Sequence, residues 1–166
     1  RDPKVRPHID FAGVQPISDQ EFEVIKSFCD YNDLAEFNPL AKSIDGSAQY
    51  WLKERISFPA PYDNETMTVY LFLPRRIDPP YQPVVYFPGI GALYPQSSAK
   101  LKDFDVIDFV IKSGRAVLYP VYKGTYERRF SVNPREFDQH QSRKWLTQML
   151  QDLSRSIDYL KSRDDM

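Results

Sequence analysis

The residues with the clearest chemical potential form a short loop, Phe87-Pro88-Gly89-Ile90-Gly91-Ala92, directly after the apolar run Val84–Phe87. A loop leaving a buried strand carries its backbone N–H groups to the carboxyl edge of a sheet, where open α/β folds bind ligands. Gly89 and Gly91 let that backbone approach a ligand without an intervening Cβ. Preorganised N–H donors of this kind stabilise the oxyanion of acyl transfer, and losing one raises the barrier by about 2.7–4 kcal/mol. The same residues also make an ordinary tight turn, and the loop alone does not decide between the two.

A second segment, Val121–Arg129, follows the apolar run Ala116–Tyr119 and leaves at the same edge. Tyr122, Tyr126 and Arg128 suit the wall of an acyl or sugar pocket, and Lys123 or Arg129 suits an anionic group. The alternative is a loop anchored by packed tyrosines, with a solvated Glu127-Arg128-Arg129 cluster. No Gly-x-Ser-x-Gly elbow occurs among the 166 residues. The two histidines, His8 and His140, sit in an N-terminal arm and just before the last helix, and both read as solvated. No spacing of His, Cys, Asp and Glu predicts a metal site. Gly89-Ile90-Gly91 is followed by neither a third glycine nor Gly-Lys-Ser/Thr, so no nucleotide cofactor is expected.

The elements that must position these loops are legible from periodicity. Residues Arg1–Pro16 carry Pro3, Pro7, Gly13 and Pro16 and read as an extended arm. Ser18 and Glu21 form a capping box, with Ile17 and Phe22 as a hydrophobic staple. They open a helix whose buried side is expected to hold Phe22, Ile25, Phe28 and Cys29. The stretch 30–46 reads as irregular. Tyr50–Phe58 and Met67–Leu73 alternate around an Asp63-Asn64 turn and predict an antiparallel hairpin. Val84–Phe87 and Ala116–Tyr119 are continuous apolar runs, as in strands covered on both faces. Leu101–Ser113 lies between them as a helix ending at Gly114, so a right-handed crossover is expected. Arg143–Lys161 places Leu146, Met149, Leu150, Leu153, Ile157 and Leu160 on one helical face, expected to pack on the sheet. The connection 121–141 is long enough to suggest a lid or binding loop.

The length supports one domain with a real core, and 42% hydrophobic and 14% aromatic residues argue for a globular chain. A net charge of −1 gives no electrostatic case for nucleic acid or an anionic membrane. A single cysteine excludes an intrachain disulfide. No apolar stretch approaches the roughly 18 residues that span a bilayer, no signal-peptide pattern opens the chain, and the compartment stays open.

Several segments resemble the esterase-like α/β-hydrolase domains related to acetyl xylan esterases, dienelactone hydrolases and prolyl-oligopeptidase-type enzymes. More narrowly, they resemble the hydrolase domain fused to bacterial serine/threonine protein kinases. The resemblance rests on 70–74, 79–82, 84–92 and 113–128, with Pro16-Ile17-Ser18-Asp19 and Ser156–Leu160 extending it along the chain. It implies a partial α/β-hydrolase fold: an antiparallel hairpin, then parallel βαβα, in a three-layer sandwich. Residues 1–49 would be arm, capping helix and linker, and residues 50–166 the N-terminal half of the hydrolase domain. It also implies that Ile90 donates its N–H to an oxyanion. Pro88 stands where the family often has histidine, so any role for that imidazole is absent.

In such a domain a third strand and a nucleophilic serine would come next. The chain, running from Arg1 to Met166, therefore reads as a fragment that does not hydrolyse esters alone. Its expected partners are a small-molecule ester in the intact domain, the missing C-terminal half, and a kinase domain in cis. Val84–Phe87 would be a free sheet edge through which isolated chains self-associate. The rival reading is a non-catalytic ligand-binding or sensory module attached to a kinase.

Overall fold

The computed structural model describes residues 11–31 and 37–166. Five strands form one mixed sheet: β1 (Ala41–Asp45), β2 (Trp51–Pro59), β3 (Thr66–Pro74), β4 (Pro83–Val85) and β5 (Ala116–Val121). Their order is β1-β2-β3-β5-β4. The first three strands and β5 pair antiparallel in turn, and only β4 runs parallel to its neighbour. The hairpin register sets Phe58 opposite Met67 and Leu52 opposite Leu73. Its turn holds Asp63 and Asn64 at φ 51°, a left-handed conformation these two side chains tolerate.

Helices α1 (Asp19–Ser27), α2 (Phe104–Lys112) and α3 (Gln139–Lys161) complete the described structure. One core layer joins Ile56, Phe58, Val69, Leu71 and Leu118 to Tyr159 and Leu160 of α3. The other joins Phe72, Val117, Tyr119 and Val121 to Ile107 and Ile111 of α2. Strand β5 feeds both layers by alternation, which is why its sequence is apolar throughout. The three-layer α/β arrangement that the resemblance implies is present. No helix among the described residues is long and apolar enough to cross a membrane.

Three expectations are corrected. The stretch 30–46 is not wholly irregular: Ala41–Asp45 is the outer strand β1 of the same sheet, held by its ladder to β2 and by Lys42–Glu54 at 3.0 Å. Its single large apolar residue, Ile44, is exposed, so no hydrophobic period announces it. Helix α1 has the expected Ser18–Glu21 capping box but buries nothing: Phe22, Ile25 and Phe28 are more than half exposed. Cys29 lies beyond its end, half-buried.

The third correction concerns α3. Its sheet-facing side is Gln148, Asp152, Arg155, Ser156, Tyr159 and Leu160, whereas Leu146, Leu150 and Ile157 stand in solvent. Of the predicted stripe, Leu160 packs on the sheet as expected and Met149 and Leu153 are half-buried, so only Leu146, Leu150 and Ile157 form a second, exposed face of the helix. It starts four residues earlier than periodicity predicts, because Asp138 and Gln141 form a capping box.

Candidate functional site

Two loops leave the carboxyl ends of β4 and β5 and enclose a cleft of about 400 Å³. The first enters through Gly89 in extended backbone (φ −76°, ψ −169°) and makes one short turn, Ile90–Leu93, closed by the Ala92 N–H to Gly89 O at 3.0 Å. The N–H groups of Ile90 and Gly91 lie ahead of any acceptor in that turn. Among the described residues they make no hydrogen bond. The Ile90 side chain, 66% exposed, stands on the rim of the cleft.

The backbone at Gly89 and Gly91 does not itself require glycine. Neither has a left-handed φ, and nothing lies within 4 Å of where a Cβ would stand on either. The glycine that the backbone does require is Gly124, at φ +93°. A Cβ there would lie 2.8 Å from Trp145 Nε1 and 3.1 Å from Phe130 Cε2.

Four residues of the second loop are committed to the interior. Tyr122 is buried, donates its hydroxyl to Pro88 O at 2.8 Å and stacks on Phe87 with centroids 4.2 Å apart. It thereby ties the two loops together, and burial pushes its phenol up to about 12. Tyr126 is fully buried at φ 48°, accepts from the Lys102 N–H at 2.9 Å and shares a 2.6 Å bond with the Tyr119 hydroxyl.

Arg128 donates to Asp152 Oδ2 and to the Tyr62 hydroxyl, each at 2.6 Å, and to Val121 O at 3.0 Å. Lys123 pairs through Nζ with Glu65, and its backbone N–H reaches Asp152 at 2.7 Å. None of these four residues lines the cleft, although Lys123 borders a smaller cavity beside it. Tyr122 and Tyr126 thus match the packed-tyrosine alternative. Of the expected solvated cluster Glu127-Arg128-Arg129, Arg128 is withdrawn into the interior, while Glu127 and Arg129 are exposed, Glu127 accepting from the Ser98 N–H at 2.8 Å and its hydroxyl at 3.0 Å.

Asp152, fully buried on α3, is the hub of this network. Its Oδ2 accepts from Arg128, the Lys123 N–H and the Tyr62 hydroxyl. Desolvation pushes its carboxyl above the ordinary aspartate range, partly opposed by the Arg128 guanidinium. Burial and the Asp152 charge together push the Tyr62 phenol well up.

The walls of the cleft come from residues that sequence reasoning largely passed over: Tyr94 and Leu93 on one side, Phe130 and Trp145 on the other, with Arg129 and Arg135 alongside. Trp145, in the second turn of α3, donates Nε1–H to Lys123 O at 2.9 Å. The signal for them was the long aromatic connection 121–141. His140 lies exposed in the first turn of α3, outside the cleft, and His8 lies outside the described residues. Among the described residues no group of three or more His, Cys, Asp and Glu is placed to hold a metal.

No protein-family profile and no curated protein sequence matches the chain. Among solved structures it is similar to acetyl xylan esterase 1 from a Thermoanaerobacterium species, with a TM-score of 0.63 at 11% identity. That match covers 93% of this chain and 49% of the esterase, so the chain spans about half the length of its structural relative. Two structures of LipA, a rice cell wall degrading esterase from Xanthomonas oryzae, match 75% of the chain at a TM-score of 0.40, with 16% and 18% identity. Strand order, three-layer packing and the 0.63 match agree on one conclusion: the chain has a partial α/β-hydrolase fold.

Proposed function

We propose that the chain is the oxyanion-binding, N-terminal part of an esterase-type α/β-hydrolase domain, with Ile90 as one oxyanion donor. The observation that carries this is the Ile90 N–H, without a hydrogen bond among the described residues, on a loop that borders a cleft at the carboxyl end of β4. A serine elbow supplied after Met166 would attack an ester carbonyl, with a histidine as base and a carboxylate orienting it. In this reading Gly89 and Gly91 keep the approach to Ile90 open, while Tyr122, Lys123, Tyr126 and Arg128 hold the second loop in place.

Proline at position 90 tests it. Gly89 is already in the extended region that a following proline demands, and the first position of a helical turn accepts proline. Ile90→Pro therefore deletes one N–H and leaves the loop standing. In a reading frame continued through the elbow, kcat for p-nitrophenyl acetate is expected to fall about 10²–10³-fold with little change in KM. An unchanged kcat overturns the assignment. The 166-residue chain alone is expected to show no saturable turnover.

The fragment reading also draws on the sheet edge. Gln82 O and the Tyr86 N–H bond to β5, so alternate residues Pro83, Val85 and Phe87 direct their backbone polar groups outward. On that outer side the Tyr81 N–H already reaches Asp165 O at 2.8 Å. The segment after α3 is thus delivered to the edge where a next strand would pair. Isolated chains are expected to self-associate through Val84–Phe87, read as a concentration-dependent mass in light scattering that Val85→Lys abolishes. A stable monomer at high concentration contradicts this.

The resemblance to kinase-fused hydrolases makes a kinase domain in cis part of the proposal. Pro88, in place of the family's frequent histidine, favours a second reading, a ligand-binding module that keeps the hydrolase shape without its chemistry. A continued frame lacking a serine elbow would decide for it.

A further inference from the structure

From the cleft's charge and lining we infer that it binds ligands carrying a carboxylate on a flat apolar body. Arg129 and Arg135 both line it, and none of the ion pairs among the described residues includes either of them. Their backbones are anchored: the Arg129 N–H donates to Tyr126 O at 3.3 Å, and the Arg135 N–H to Asn133 Oδ1 at 3.1 Å.

No carboxylate lines the cleft to neutralise them. Glu127 is committed to Ser98 and Asp138 to the α3 cap at 2.7 Å, while Glu136, next to Arg135, is outside the lining. Guanidinium forks match carboxylate oxygens in pairs, so two exposed arginines in the lining of one cavity favour an anion over a neutral group. The rest of the surface is mostly apolar, led by Phe130, Trp145, Tyr94 and Leu93, and suits a flat apolar ring. Among the described residues its other polar groups are the Ser131 and Tyr94 hydroxyls, the Asn133 amide, whose Oδ1 is already used by Arg135, and the Trp145 indole N–H, which is held by Lys123 O.

The inference deepens the proposed function, since it takes this cleft as the pocket beside Ile90, and it specifies an acidic ester as the substrate class. Its test does not need turnover. The ¹⁵N-labelled full chain is titrated with 1-naphthoate, 1-naphthamide and 1-naphthyl phosphate, following the Trp145 indole resonance, with the Trp51 indole on β2 as internal reference. Naphthoate is expected to give a saturable Trp145 shift at an affinity at least about tenfold above naphthamide. In the Arg129→Ala/Arg135→Ala variant the two ligands are expected to bind alike. Raising NaCl from about 0.05 to 0.5 M is expected to narrow the preference in the native chain.

Equal affinity for naphthoate and naphthamide, no saturable shift with naphthoate, or a tighter fit for the phosphate by more than tenfold overturns the inference. Ile90→Pro in the same titration is expected to keep the carboxylate preference. Loss of the preference in that variant assigns the anion to the backbone and overturns the role of the arginines. Failure of the oxyanion assignment is thereby told apart from failure of this one.

Discussion

Arg128→Met is expected to destabilise the chain by about 3–5 kcal/mol, because it leaves the Asp152 carboxylate buried without its cation. Asp152 has no exposed surface, and the Arg128 side chain is only 9% exposed. The pair therefore behaves unlike surface ion pairs, which contribute about 0–1 kcal/mol. Removing Arg128 also unties three chain segments, since the guanidinium reaches Tyr62 in the hairpin turn, Val121 at the end of β5 and Asp152 on α3.

The double variant Arg128→Met/Asp152→Leu removes both charges and is expected to cost far less than the sum of the single changes. A double-mutant cycle in urea should give a coupling of about 2–3 kcal/mol. A loss below 1 kcal/mol for Arg128→Met alone would mean that the network is not what holds the second loop.

The same network explains what was legible in the sequence. Strands β2, β3 and β5 and helix α2 follow from alternation or continuous apolar runs, because a face buried against hydrocarbon leaves a period behind it. Strand β1 leaves none: it is an outer strand held by backbone pairing and a Lys42–Glu54 contact. Helix α3 misleads for a related reason. Hydrophobic periodicity selects Leu146, Leu150 and Ile157, yet the side against the sheet carries Gln148 and Asp152, whose partners Asp63 and Tyr62 lie 85 and 90 residues away. Polar burial is identifiable only when both partners are known. The loop after β4 is legible as a candidate because glycines and a preceding apolar run are local signals. The cleft wall is not, because Phe130 and Trp145 meet only once α3 has docked.

Gly124→Val is expected to cost about 3–5 kcal/mol, through left-handed backbone strain together with overpacking. At φ +93° a β-branched residue is a genuine outlier, and its Cβ would press on Trp145 Nε1 and Phe130. Trp145 cannot yield freely, since its Nε1–H is held by Lys123 O, and the Gly124 N–H is itself tied to Arg128 O at 2.9 Å. The thermal midpoint should fall by roughly ten degrees, at about 2–4 °C per kcal/mol for a chain of this length. The Trp145 indole resonance should move with it. Gly89→Ala supplies the contrast: with ordinary backbone and nothing near its missing Cβ, it is expected to change stability by no more than about 0.5 kcal/mol. A Gly124→Val chain as stable as the native one would show that the loop after β5 has a second conformation open to it. The wall of the cleft would then be movable rather than fixed by Gly124.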